Sequence, residues 1–290
     1  MSTPLTGPNP VATPEQARAA IAERPMWYHV MELAPGIETP GWFDLRPIVE
    51  RLPWPDVRGK RCLDVGPYDG FLSFELERRG AAEVVAADIS HPSEWDWPAA
   101  MRAQGAATLE QLAGDDPGGG LRIAAELLGS NVERIDCSVY DLTPARVGEF
   151  DVVVCGSLLL HLRDPVRALE AIRSVCRKHF LSSETVDPGL SLLSRRRAMA
   201  HVRAGDRVQW WVPNIAAHRK LITAAGFEVE RASRPYAIPF GAGHQHDRRL
   251  SPLRSRALTW ALTRASGVPH AAVLARPASY PAPDSPSDSG

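Results

Sequence analysis

The sequence predicts an α/β fold built on a doubly wound, mostly parallel sheet, and three observations carry that prediction. Short apolar strands alternate with helical segments from Gly59 onward. The strongest strand, Phe150–Cys155 (FDVVVC), is a near-continuous β-branched run, as in strands covered on both faces. A third strand candidate runs into a glycine-lined turn, "LDVGPYDGF" from Leu63 to Phe71, at the position where open sheets of this class hold a ligand.

The elements follow in order. The first ten residues, MSTPLTGPNP, are rich in Pro, Thr and Ser and read as loose chain. Thr13-Pro14-Glu15-Gln16 then reads as a helix start, with Thr13 as cap, Pro14 at the first helical position and Gln16 completing a capping box. The helix should end before Pro25. Met26 to Pro53 is rich in aromatics and proline, so residues 1–55 are expected to form an N-terminal extension lying on a main domain of residues 56–277. In that domain Arg61–Val65 is a strand and Phe71–Arg79 a helix closed by Gly80. Glu83–Ala87 is a second buried strand ending at Asp88. A polar excursion with Gly118 to Gly120 precedes a helix over Leu121–Leu128 and a short strand over Val132–Val139.

After Phe150–Cys155, Asp164-Pro165 starts a helix in which Val166, Leu169, Ile172 and Cys176 recur at helical spacing, with Arg177-Lys178 closing its negative end. Phe180–Val186 is a further strand. Asn214 caps a helix through Ala224, Gly226 ends it, and Phe227–Arg231 and Val268–Ala275 supply the last strands. Residues 278–290, reading "YPAPDSPSDSG" from Tyr280, have no apolar pattern and are expected to be disordered.

Composition narrows the function classes. The formal net charge of −1 provides no global field for nucleic acid, although Arg195–Arg197 and Arg248–Arg256 are local basic clusters. The most apolar run, Val152–Leu162, is about half of what a membrane helix needs, so no membrane association is expected. The N-terminus lacks the pattern of a secretory signal. Cys62, Cys137, Cys155 and Cys176 show no metal-ligand spacing and read as buried thiols of a cytoplasmic protein.

The turn at Gly66 and Gly70 selects among nucleotide cofactors. Asp88 lies about twenty residues on, where a carboxylate can accept from both ribose hydroxyls. A nicotinamide dinucleotide needs a further glycine between these two, so that its pyrophosphate can approach the backbone. Tyr68 occupies the middle of the turn instead. Asp64, just before the turn, would repel a pyrophosphate but attract a cation. S-adenosylmethionine carries a sulfonium and an amino group and no phosphate, and fits this charge pattern.

With Asp64-x-Gly66-x-x-x-Gly70, Asp88 and "EFDVVVCGSLLLHLRDPVRAL", the chain resembles the class I S-adenosylmethionine-dependent methyltransferases from about Gly59 to Pro277. "GPYDGF", "LLLHLRDP", "WWVPN…AAGF" and the N-terminal "WYHVMEL…TPGWFDLRP" are similar to the branch of tRNA wobble-uridine (carboxy)methyltransferases. The resemblance implies a seven-stranded, Rossmann-like methyltransferase fold. It implies that Asp64, Gly66 and Gly70 hold the methionine end, Asp88 the ribose and Ile89 the adenine. Tyr140 and Asp141 would flank the adenine amino group, Gly156 and Ser157 would floor the sulfonium, and Tyr68 would wall the methionine end or the acceptor. Carboxymethyl-transferring members resemble one another in a Tyr-His pair where this chain has Leu160-His161. Leucine cannot donate to a carboxylated cofactor, so ordinary methyl transfer is the expectation.

His161, beyond the strand facing the cofactor, is the candidate general base, against a loop-ordering role. His29, Trp42, Trp211 and Asn214, with Trp27 and Trp210, are candidates for the acceptor pocket; anchoring the extension and capping a helix are the competing roles. A small-molecule acceptor is the first reading. A tRNA wobble uridine, with the arginine clusters on phosphates, is the second, and a non-catalytic cofactor-binding protein the third.

Overall fold

The computed structural model describes residues 11–24, 26–113, 118–203, 209–244 and 253–279. Its centre is a sheet of eight strands among those residues: β1 (Arg61–Val65), β2 (Glu83–Asp88), β3 (Glu133–Asp136), β4 (Phe150–Gly156), β5 (Cys176–Thr185), β6 (Phe227–Ala232), β7 (Tyr236–Ile238) and β8 (Val268–Pro277). The order is β6-β8-β5-β4-β1-β2-β3, with short β7 paired beside β6's neighbour β8. Strands β3, β2, β1, β4 and β5 run parallel, and β8 enters antiparallel to both β5 and β6.

Helices that bear on the site are α1 (Pro14–Glu23), α2 (Phe71–Arg78), α3 (Gly119–Leu128), α4 (Pro165–Val175) and α5 (Ile215–Ala224). Alternation along the strands splits the apolar residues between two layers. On β4, Val152 and Val154 face the layer of α2, α3 and the N-terminal segment, while Val153 and Cys155 face α4 and α5. Ile172 of α4 has no exposed surface, a burial that stabilises by about 2 kcal/mol.

Local chemistry accounts for most element ends. Thr13 and Gln16 close the capping box of α1, Asp164 accepts from the Arg167 N–H to cap α4, and Asn214 accepts from the Ala217 N–H to cap α5. Three sequence readings need correction. Helix α4 stops at Val175, so Cys176, Arg177 and Lys178 begin β5, and Arg173 is the basic residue of its last turn. The Arg173 guanidinium donates to the Gly226 carbonyl, in the turn between α5 and β6. The strand expected over Val132–Val139 is only β3, because Ser138 caps a 3₁₀ turn at Val139–Asp141. Strand β7 adds an eighth member to the sheet.

Residues 26–52 are packed into the same core as α2 and α3. Trp27, Met31, Leu33 and Leu52 are buried there, and Phe43 bridges to both His29 and Phe240. A hairpin, Glu32–Ala34 with Ile37–Glu38, lies in this segment. Residues 1–10, 280–290 and most of the Arg248–Arg256 cluster lie outside the described residues, as do the expectations made for them. No helix among the described residues is long and apolar enough to cross a membrane.

Candidate active site

The turn after β1 is left-handed at three of five residues: Gly66 (φ 72°), Tyr68 (φ 55°) and Gly70 (φ 91°). Two of these positions require glycine on contact as well as conformation. A Cβ on Gly66 would lie 3.1 Å from the Leu158 side chain, and one on Gly70 would lie 2.8 Å from Phe74. Tyr68 holds the same backbone conformation with a full side chain, at a cost on the order of 1–3 kcal/mol. The result is that its N–H faces the Asp88 carboxylate at 3.4 Å. Its ring packs 4.9 Å from that of Tyr28, beside the turn.

Two carboxyl groups meet at this turn from the ends of adjacent parallel strands. Asp64 is 1% exposed and accepts a 2.7 Å hydrogen bond from the Ser73 hydroxyl of α2. Burial pushes it up to about 7, against the opposing pull of Ser73 and of His29. Asp88 accepts from the Ile89 N–H at 2.9 Å and from Tyr68, and burial pushes it up to about 6. Neither carboxyl forms an ion pair among the described residues; Asp64 is buried and Asp88 half-buried, with His29 and Arg134 acting on them only at longer range.

Asp69 locks the turn to the N-terminal segment. It is 1% exposed, and one carboxylate oxygen accepts from the N–H groups of both Tyr28 and His29 at 2.8 Å. The other oxygen meets the His29 Nδ1 in a short contact. The segment thus covers the turn through a hydrogen-bonded seam as well as an apolar one.

Opposite the turn, β4, β5 and β8 build a second wall. Ser157, just after β4, is left-handed (φ 54°), and its N–H donates to the Ser183 carbonyl at 2.7 Å. His270 of β8 is 3% exposed, and its Nδ1 can only donate to the Val268 carbonyl, 2.9 Å away. Its Nε2 is therefore an acceptor, taking the hydroxyls of Ser157 (2.8 Å) and Thr185 (3.1 Å). Burial holds this imidazole down to about 4, which keeps it neutral. Glu184 of β5 is 1% exposed and accepts from the N–H groups of Leu158 (3.2 Å) and Leu159 (3.3 Å), both through Oε1. Burial pushes Glu184 up to about 8.

The remaining sequence candidates divide. Asp64, Gly66, Tyr68, Gly70, Asp88, Ile89, Gly156 and Ser157 gather at the carboxyl ends of β1, β2 and β4. Tyr140 lies past β3, but its hydroxyl donates to Asp96 at 2.6 Å and accepts from the Asp164 N–H. Asp141 is half-exposed and pairs with Arg146 at 3.4 Å. His161 ends a half-buried 3₁₀ turn whose Leu160 carbonyl accepts from the Trp210 N–H. Trp210 and Trp211 donate their ring N–H groups to the carbonyls of Asp96 and Arg163. Trp42 is half-buried with its ring 6.2 Å from Tyr28 and 6.0 Å from His244, and Trp27 is a core residue.

Asn214 is corrected from acceptor contact to structure. It is fully buried, Nδ2 donates to the Ser194 and Arg197 carbonyls, and Oδ1 accepts from Ala217 and Met199. All four of its bonding positions are filled. His29 is engaged by Asp69 in the seam. Sequence reasoning missed Tyr28, Ser73, Asp69, Glu184 and His270. A charged residue closing the apolar run of β5, and a histidine inside "VPHAAVLA", were the available signals.

These titrations set an expected pH dependence of stability. Asp64, Asp88 and Glu184 have folded values above their unfolded ones. Their contribution is full below the unfolded values and is lost as pH rises through about 6 to 8. The neutral His218 and His270, held at about 3 and about 4, act in the opposite sense, but only below about 6.5. The melting temperature of the ligand-free protein should therefore fall between pH 6.5 and 8.5; a rise over that window would contradict this set of acids.

A family model described as a methyltransferase domain matches residues 43–232. A ubiquinone biosynthesis O-methyltransferase of Neisseria meningitidis serogroup C is 30% identical over 122 residues. That match covers 42% of this chain, and the chain spans 42% of the relative's length. Among solved structures, the 1,6-didemethyltoxoflavin-N1-methyltransferase of Burkholderia thailandensis, with bound 1,6-didemethyltoxoflavin and S-adenosylhomocysteine, is 16% identical. It overlays at a TM-score of 0.47, covering 77% of this chain and 72% of that one. Magnesium protoporphyrin IX methyltransferase of Synechocystis PCC 6803, with S-adenosylhomocysteine, is also 16% identical, at a TM-score of 0.44 over 77% and 76% of the two chains. With that family model spanning the turn, both carboxylates and strands β1 to β6, the chain belongs to the methyltransferase-domain family.

Proposed function

We propose that the protein is an S-adenosylmethionine-dependent methyltransferase acting on a small-molecule acceptor. One observation carries the reading: Asp64, buried, and Asp88, half-buried, neither in an ion pair among the described residues, flank a turn whose middle position is Tyr68. A sulfonium and an amino group supply the positive charge that such a pair lacks, and the absence of phosphate removes the need for a third glycine. The residues present fit that cofactor. Asp64 and the turn would hold the methionine end, Asp88 would accept from the ribose hydroxyls, Ile89 would lie on the adenine, and Gly156-Ser157 would floor the reacting centre. When bound, the cofactor supplies an electrophilic methyl carbon with a neutral thioether as leaving group.

The chain's own part is to align an acceptor over that floor and to exclude water with the seam at Asp69. The O-methyltransferase relative and the N1-methyltransferase neighbour, by their names, act on small molecules, which supports that class of acceptor. The four cysteines are free and buried, which supports a reducing, cytoplasmic setting.

Cofactor affinity should depend on pH. Ionised Asp64 and Asp88 bind the cofactor better than their protonated forms, so binding lowers their proton affinity and releases protons. Affinity should climb by up to about tenfold per pH unit between the free-site values of about 6 and 7, more steeply below the lower one, and level above both. Calorimetry from pH 5.5 to 8 in buffers of different ionisation enthalpy measures both the affinity and the proton count. Flat affinity with no released proton would remove both carboxylates from the site. The same titration repeated with tRNA tests the second acceptor class, whose binding would weaken steeply with salt.

A further inference from the structure

Glu184 is a buried acid of the site that neither cofactor binding nor the Asp69 seam uses. It closes β5 beside β4, and its Oε1 accepts two backbone N–H groups of the Leu158–Leu159 turn. The Leu158 side chain in turn lies against Gly66, so the carboxyl stands one residue away from the cofactor turn. Oε2 accepts no hydrogen bond among the described residues. A buried carboxylate held at one oxygen and free at the other is poised to receive a proton.

The groups around Glu184 offer no competing base. Tyr28, from the N-terminal segment, and Tyr236, from β7, both feel its charge, and burial raises both phenols far above their ordinary range. They remain neutral. Cys155 on β4 lies between Glu184 and Asp64, with its thiol likewise raised by burial. On β8, His270 accepts from Ser157 and Thr185, so its free nitrogen is occupied. Asp64 is committed to Ser73 and to the cofactor turn.

We propose that Glu184, and not His161, takes the proton from the acceptor, and that the acceptor is an uncharged hydroxyl compound. This rests on the methyltransferase reading above. The acceptor O–H donates to Oε2, with Tyr28 and Tyr236 as neighbouring walls. As the acceptor oxygen forms its bond to the methyl carbon, its proton passes to Glu184. The carbon–sulfur bond breaks with its electron pair remaining on sulfur, giving a methyl ether and S-adenosylhomocysteine. The proton then leaves Glu184 for solvent. An acceptor carboxylate at this position would be repelled, which selects for neutral acceptors.

The test uses the full chain with catechol and 4-methylcatechol as probes, following S-adenosylhomocysteine formation from pH 6 to 9. Wild-type turnover should rise with pH through about 8, as Glu184 ionises, and then level. Glu184→Gln keeps an Oε1 that accepts both backbone N–H groups, but cannot take a proton. It should lower kcat by about a hundredfold or more, remove the alkaline rise, and leave S-adenosylmethionine affinity within about twofold. It should also reduce the fall in melting temperature between pH 6.5 and 8.5, a readout independent of turnover. If the Gln variant does not fold, Glu184→Asp substitutes for it. A depressed kcat with the alkaline rise retained would support the proposal, and a wild-type rate would overturn it.

Full activity with an unchanged pH profile in Glu184→Gln overturns the proposal. Loss of the alkaline rise in His161→Asn, with Glu184→Gln retaining it, would do the same and return the role to His161. Wild-type protein that binds S-adenosylmethionine but methylates neither probe would overturn the hydroxyl assignment and leave cofactor binding standing. Failure to bind S-adenosylmethionine at all would bring down the underlying reading instead.

Discussion

Asp69→Ala should unfold about 3 kcal/mol more easily than wild type, read by urea denaturation at pH 7. The magnitude follows from what the side chain holds. Two backbone N–H groups, of Tyr28 and His29, donate to one buried oxygen, and the His29 ring meets the other. Removing the carboxylate leaves those donors buried without an acceptor, each costing about 1–3 kcal/mol before relaxation. Relaxation here means lifting the segment from the turn, so cofactor affinity should fall along with stability. Asp69→Asn keeps one acceptor oxygen and should cost less. A loss below about 1 kcal/mol in Asp69→Ala would show that apolar packing alone seats residues 26–43.

Asp88→Ala should weaken S-adenosylmethionine binding by about 1–3 kcal/mol, the scale of lost hydrogen bonds to a charged group, or roughly ten- to a hundredfold. The fold should survive, because in the ligand-free protein this carboxylate bonds only to local backbone N–H groups of Ile89 and Tyr68. Removing an acid that resists ionisation should also make the free protein more stable near pH 8 relative to wild type. Calorimetry and a melting curve on one preparation check both. Unchanged affinity would take Asp88 out of the cofactor site.

The fold was largely legible because local signals agreed with tertiary ones. The β-branched run of β4, the Thr13, Asp164 and Asn214 caps and the glycines at 66, 70, 80 and 226 each specify an element end or a covered strand. The boundary at Cys176 was misread because a helical repeat continues for one residue into a strand that also needs an apolar face. That Asp64 and Asp88 meet at the turn was legible from their spacing to two glycines. Asp69, Glu184 and His270 were not, because their meaning depends on partners between 25 and 113 residues away in the chain. Asn214 shows the converse: its cap was readable, but the two carbonyls that use up its amide come from a loop some twenty residues earlier.

The reversed strand β8 has a consequence for how the molecule comes into being. It fills the gap between β5 and β6, and it brings His270 to Ser157. During synthesis, β5 therefore emerges with an unpaired flank that stays open while some ninety further residues are made, counting from the end of β5 at Thr185 to the end of β8 at Pro277. The nascent chain can assemble the cofactor turn early, from β1, α2 and β2, but not the opposite wall. The late closure leaves the β5 flank open to neighbouring chains until β8 docks.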